Sequence, residues 1–271
     1  MLFGMYYPST DRIVLLGGGH MGGALAMRWV EAGMPAQQII IVEQNAQRRA
    51  ALTDAGFSVH ASLEQLHQQP DVIVLAVKPQ SYAQVKPALE QYGGGALIIS
   101  IMAGVTLACL PLPRRARVMP NLPAILGLGV SACYAPGLTP EDRARVENLF
   151  QACGAFIWLA AEDQFHAITA ISGSGPAYMF SFLEAFEHAA RRLGLEADLA
   201  RLLVQKTAAG AVAMASQPQA DAAALRAQVT SKGGTTEAAL QVLLAELPRL
   251  VEEAVTAAEV RSRELASRAE G

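Results

Sequence analysis

Gly17-Gly18-Gly19-His20-Met21-Gly22 stands between a short apolar run, Ile13 to Leu16, and a segment of helical pattern, Met21 to Ala32. A β-rich run, a glycine turn and a helix in that order open a βαβ unit, and G-x-G-x-x-G in that setting is a phosphate-binding turn. Gly17 allows the tight turn, Gly19 lets the backbone approach a pyrophosphate, and Gly22 permits close helix packing. Free N–H groups and the helix dipole at this end favour the anion. A second apolar run, Ile39 to Val42, and a second helical segment, Ala46 to Ala55, stopped at Gly56, complete the unit.

The alternation of strand and helix continues. Val72 to Ala76 and Ala96 to Ile101 are apolar without polar alternation, as parallel strands covered on both faces are. Strand pattern fades after Trp158. From about Phe165 the segments Pro176 to Leu193, Asp198 to Ser216, Asp221 to Val229 and Arg249 to Ala269 read as helices, with Pro176 as a first helical residue and Gly194 as a stop. The expected division is a poorly ordered leader over 1–10, a dinucleotide-binding domain over 11–164 and a helical domain over 165–271. Leu199 to Ala215 is rich in Ala and Gly and apolar all round. A bundle of about a hundred residues has little interior to hide such a helix, so a second subunit is expected to cover it.

Composition narrows the function classes. The 271 residues are 52% hydrophobic and 17% charged with a net charge of −3, which excludes a disordered chain and a basic nucleic-acid stripe. Cys109, Cys133 and Cys153 lack paired spacing, so neither a disulfide framework nor a zinc site is expected, and a reducing, cytoplasmic compartment is favoured. The uncharged stretches Gly93 to Pro113 and Val118 to Pro140 are interrupted by glycines and prolines, which suits buried strands and turns rather than a membrane span. No H-E-x-x-H, G-x-S-x-G or G-K-[ST] motif occurs, and no metal is expected. Hydride transfer needs none of these.

Glu43 follows the second strand about twenty residues beyond the loop, where a carboxylate accepts hydrogen bonds from the ribose of NADH. Arg48 and Arg49 follow closely and could instead meet the 2′-phosphate of NADPH, so the choice between the two stays open. Ala76-Val77-Lys78-Pro79 ends one strand with a cation and a rigid turn, and Met119-Pro120-Asn121-Leu122-Pro123 presents Asn121. Two glycine-rich polar islands, Ser172-Gly173-Ser174-Gly175-Pro176 and Thr230-Ser231-Lys232-Gly233-Gly234-Thr235-Thr236, each precede a helix. Such islands suit either N-capping or a small carboxylate.

On these residues the chain resembles the Δ1-pyrroline-5-carboxylate reductases. GGGHMGGAL, AVKPQ, SIMAGVT, VMPNLPA, ITAISGSGPAYMF and VTSKGGTTEAAL stand in that family's order and at about its spacing, and the last two are the most specific. The resemblance implies an α/β fold: an N-terminal Rossmann-like doubly wound sheet with a C-terminal all-helical dimerisation domain. It implies that Gly17, Gly19, His20, Met21, Gly22, Ala76, Val77, Lys78, Pro79, Ala103 and Asn121 line the NADPH or NADH site. Val229, Ser231, Gly234, Thr235 and Thr236 are implied to form the pocket for pyrroline-5-carboxylate, with Thr236 hydrogen-bonded to the ring nitrogen. It further implies proline as product, and a homodimer assembled into a decamer.

His20, Met102, Leu122 and Lys232 depart from the family pattern, where Asn, a small residue, Thr and Pro are usual. A hydroxy-acid dehydrogenase or ketopantoate reductase is the nearest other enzyme, with Lys206 as its lysine. From a different class, a non-catalytic dinucleotide-binding regulator would use the two islands only as caps.

Overall fold

A computed structural model describes residues 11–66 and 68–270. The expected leader over 1–10 lies outside them. The apolar runs form β1 (Ile13–Leu16), β2 (Ile39–Val42), β4 (Val72–Leu75) and β5 (Leu97–Ser100), joined by β3 (Ser58–His60), β6 (Arg115–Met119), β7 (Gly129–Tyr134) and β8 (Gly154–Trp158). The eight strands make one sheet in the order β3-β2-β1-β4-β5-β6-β7-β8. Every pairing is parallel except β6 with β7. The order turns back at β1, where β2 and β4 lie on opposite sides, and in open α/β sheets such a reversal leaves a crevice at the strand C-terminal ends.

The helices of this part are α1 (His20–Glu31), α2 (Ala46–Asp54), α3 (Tyr82–Tyr92), α4 (Pro140–Gln151) and α5 (Gln164–Ile168). The sheet is apolar on both faces. Ile13, Leu15, Ile39, Ile41, Val72 and Val74 pack with Leu25 and Trp29 of α1 on one side, while Val14, Leu16, Ile73, Leu75 and Ile98 pack with Leu89 of α3 on the other. Fully burying a side chain of this size contributes roughly 1.5 to 3 kcal/mol, which fixes the strands and hence the loops at their ends. Trp29 Nε1 donates to the Leu149 carbonyl of α4 at 2.8 Å. Thr139 caps α4 by accepting from the Asp142 N–H at 3.2 Å.

The remaining helices are α6 (Gly175–Arg192), α7 (Ala197–Ala215), α8 (Ala222–Gln228) and α9 (Thr235–Glu270). α9 starts well before Arg249 and runs through Pro248, which removes one intrahelical N–H donor without ending the helix. The described chain divides into two compact units. One holds the residues up to Gly173 together with those from Ala258 onward, and the other holds Ser174–Ala257. The division falls nine residues beyond the expected 164/165, because Phe165 is buried against Met119 and Ala132, and the Asn121 amide donates to the Ser172 carbonyl. The last turns of α9 belong to the first unit because His166 Nδ1 lies 2.9 Å from Ser262 Oγ and Arg263 pairs with Asp163. In the second unit Ala200 and Val204 of α7 are buried, whereas Leu202 is 53% and Val212 56% exposed in the single chain.

Candidate active site

The glycine loop leaves β1 and enters α1 with the chemistry its spacing requires. Gly17 takes φ +104°, and a Cβ there would stand 2.7 Å from the Ala76 carbonyl oxygen. At Gly22 a Cβ would lie 2.0 Å from the Gly17 carbonyl, so α1 rests directly on the turn. Gly19 differs: its added Cβ meets nothing nearer than Arg48 Nη1 at 3.8 Å. Gly17 and Gly22 are close-packed, and Gly19 opens onto space. Gly19 is also the N-cap of α1 and offers no side chain to it, so first-turn N–H groups remain for an anion.

That opening is a cleft of about 570 Å³ at the C-terminal ends of β1, β2, β4 and β5. Gly17, Gly19, His20 and Met21 form its floor, Glu43, Gln44 and Arg48 one side, and Ala76 to Pro79 with Ile101 to Ala103 the other. Ser62 to Glu64 and residues of α3 close the far end. The Ser62 hydroxyl bonds the Glu64 carboxyl and holds it below the usual carboxylate range. β3 is only three residues long, so the position of the segment after it carries no signal in the sequence.

The charged groups expected at the cleft divide by occupation. Glu43 is buried, its Oε2 accepting from the Gly18 N–H at 3.0 Å and its Oε1 from the Asn45 N–H at 2.8 Å. Arg49 spends its guanidinium on the carbonyls of Glu43 and Gln44, at 3.0 and 2.6 Å. Arg48 and Lys78 have no side-chain partner among the described residues and both line the cleft. Gly22 packs beneath the loop rather than lining it. Asn121 stands outside the cleft wall: its Oδ1 accepts from the Val130 N–H at 2.8 Å and its Nδ2 donates to the Ser172 carbonyl at 3.0 Å. Of the departures from the family pattern, His20 faces the cleft, Met102 is buried in its wall, and Leu122 and Lys232 are exposed.

Of the two polar islands, the first spans the division at Gly173 and the later one lies within the second unit. The first island gives no cap to α6: Ser172 Oγ donates back to the Ile168 carbonyl at 3.0 Å, and Ser174 makes no capping bond. In the later island Gly233 takes φ +72°, its N–H donates to Glu237 Oε2 at 2.7 Å, and the Gly234 N–H donates to the Ser231 carbonyl at 3.0 Å. Thr230 Oγ1 turns back to the Arg226 carbonyl at 2.6 Å. The hydroxyls of Ser231, Thr235 and Thr236 have no partner among the described residues, and Thr236 is half-buried. First-turn N–H groups of α9 at Thr235 and Thr236 stand beside them without intrahelical acceptors. Capping consumes Glu237 and leaves the threonines free, an arrangement suited to a small anion with a hydrogen-bonding ring.

The comparisons agree in both halves. Residues 162–265 match a family profile described as pyrroline-5-carboxylate reductase dimerisation, so the chain carries a dimerisation domain, and residues 12–104 match one described as NADP oxidoreductase, coenzyme F420-dependent. A pyrroline-5-carboxylate reductase of Pasteurella multocida is 40% identical over 93% of this chain and 97% of its own length. The one from Pseudomonas aeruginosa is 39% identical over 95% and 98%. A solved pyrroline-5-carboxylate reductase structure from Coxiella burnetii superposes with a TM-score of 0.88 at 33% identity, covering 95% of this chain and 99% of that one. One from Plasmodium falciparum, described with NADP bound, gives 0.85 at 27% identity over 95% and 98%. Among the described residues no helix is long and apolar enough to cross a membrane. With identities of this size over nearly the whole length, the chain belongs to the pyrroline-5-carboxylate reductase family.

Proposed function

We propose that this chain reduces 1-pyrroline-5-carboxylate to L-proline with a hydride from NADPH or NADH, the last step of proline biosynthesis. The observation that carries the reading is the open position at Gly19, a cradle that a Cβ would fill, in the lining of a cleft that also holds the side chains of Arg48 and Lys78, unpartnered among the described residues. It fits a dinucleotide pyrophosphate, with Arg48 and Lys78 left to meet phosphate charge. The bound dinucleotide supplies the hydride, so the protein needs to place its donor carbon beside an electron-poor one.

The threonine turn supplies the other partner. The first-turn N–H groups at Thr235 and Thr236, with the Ser231 hydroxyl, hold the ring carboxylate, and Val229 and Gly234 shape the pocket. Thr236 Oγ1 hydrogen-bonds the ring nitrogen. A protonated imine accepts hydride at its C=N carbon without a dedicated acid, and that carbon, C2 of the pyrroline, becomes the C5 methylene of proline as the C=N π electrons pass to nitrogen. Lys232, exposed on the same turn, adds positive charge for the carboxylate.

The exposed apolar residues of α6, α7 and α9 support assembly as a homodimer through the helical half; a decamer of such dimers and a cytoplasmic location belong to the same proposal. A monomer in size-exclusion chromatography contradicts that assembly. Mixing the protein with NADPH or NADH and pyrroline-5-carboxylate tests the reaction: absorbance at the reduced-nicotinamide band falls in step with proline formed. Consumption with hydroxy-acid or ketopantoate substrates and none with the imine overturns it.

A further inference from the structure

The loop after β5, Ile101 to Leu107, lends Ile101, Met102 and Ala103 to the cleft wall, yet its own fastenings lead away from the cleft. At its start the Ile101 N–H donates to the Leu75 carbonyl at 3.0 Å and the Met102 N–H to Ser100 Oγ at 3.3 Å. At its end the Leu107 N–H donates to Glu162 Oε1 at 2.9 Å. That same oxygen accepts from Arg117 Nη1 at 2.9 Å. Arg117 is on β6 in register with Ser100, is 3% exposed, and lies with its guanidinium carbon 4.3 Å from the centroid of the Phe165 ring. Its Nε has no partner among the described residues.

We infer that Glu162 is a positioning residue for the cofactor: by pairing with buried Arg117 and accepting from Leu107, it fixes the wall that Met102 and Ala103 present. The inference rests on the reading of this cleft as the dinucleotide site. A buried guanidinium is costly unless its charge is met, so Glu162 is held tightly to Arg117. The oxygen that meets that charge is also the anchor of the loop. Val105 and Leu107 are buried in the apolar layer beneath, so the segment between the two fastenings has little freedom. Outside, Gly104 takes φ +76°, and a Cβ there would stand 3.6 Å from the Leu265 carbonyl, so the end of α9 covers the loop from the solvent side.

The test compares Glu162→Ala, Glu162→Gln and the double variant Arg117→Met/Glu162→Met with the unaltered protein, reading NADPH dissociation constant, KM for each substrate, kcat and Tm. Glu162→Ala strands the charge and frees the loop: NADPH binding weakens about tenfold or more, while the KM for the imine stays within about twofold. Glu162→Gln keeps an acceptor for Leu107 and recovers most of the affinity. The double variant removes the stranded charge, so Tm recovers while NADPH binding stays weak. Normal NADPH affinity in Glu162→Ala overturns the inference, and so does a double variant that regains affinity together with Tm, which would make the effect one of folding alone. An unaltered protein that binds no NADPH overturns the cleft reading itself, a result distinct from either.

Discussion

The Glu43 carboxylate accepts a hydrogen bond from the Gly18 N–H at 3.0 Å, across 25 residues of sequence, and so ties the end of β2 to the middle of the glycine loop. A second bond, from the Asn45 N–H to its other oxygen, fixes the rotamer. Replacing Glu43 by Ala leaves two N–H groups near the cleft without their acceptor, each costing about 1 to 3 kcal/mol where water cannot replace it. Glu43→Ala is expected to raise the KM for NADH and NADPH on the order of tenfold, with kcat reduced less. Steady-state kinetics with both dinucleotides checks this, and an unchanged KM for both removes Glu43 from cofactor binding.

Gly22 and Gly19 are expected to fail in different ways. Alanine at Gly22 puts a Cβ 2.0 Å from the Gly17 carbonyl, so helix and turn must separate; the protein should lose about 2 kcal/mol or more of stability and bind cofactor poorly. Alanine at Gly19 meets nothing closer than 3.8 Å, so Tm should stay near that of the unaltered protein while dinucleotide affinity falls. Thermal melts and cofactor titrations of the two variants separate the roles. Equal Tm losses would refute the distinction.

Much of this site is legible in the residues themselves. Gly17 to Gly22 sits where an apolar run meets a helical pattern, and the structure places β1 and α1 there because unalternated Ile, Val and Leu need burial on both faces. Other parts depend on long-range neighbours and leave no local mark. Asn121 is recognisable as a polar residue in a proline-framed turn, but its two bonds go to Val130 and Ser172, partners that only the sheet brings near. Nothing near Arg117 in the sequence marks it for burial, which follows from Phe165 and Glu162, more than forty positions away. The helix expected after the later island and the one expected from Arg249 are a single helix, α9, because Pro248 is carried inside it.

Asp142 is 1% exposed and is held between Arg114, at 2.6 Å, and Arg145, at 3.1 Å. The hydrogen bond from Arg114 is the main cause of a carboxyl pKa below its ordinary value, against burial that would raise it. A carboxylate depressed in the folded state contributes stability that is present above its unfolded pKa of about 3.9 and is lost as pH falls from there through the folded value. Asp142→Ala should therefore cost about 3 kcal/mol at neutral pH and flatten the fall in stability below about pH 4. Denaturant titrations from neutral to acid pH measure both effects. A slope unchanged by the substitution would show that Asp142 does not govern the acid limb.

Thr236 carries the prediction closest to the chemistry. Its hydroxyl has no partner among the described residues, so alanine there removes no structural bond. Loss of one oriented hydrogen bond in a closed site lowers turnover on the order of tenfold to a thousandfold, so Thr236→Ala should slow kcat by that range with Tm unchanged. Thr236→Ser should recover part of the rate, and unchanged kinetics in the alanine variant would remove Thr236 from the mechanism.

Hydride is expected to pass directly from the dinucleotide to the C=N carbon of the pyrroline ring, the carbon that becomes C5 of proline. Reduction with NADPH carrying deuterium at both nicotinamide C4 positions, followed by mass and NMR analysis of the proline, tests it. Proline one mass unit heavier, with a single deuteron at C5, is the result expected from direct transfer. Unlabelled proline, or deuterium found in the solvent, would contradict it.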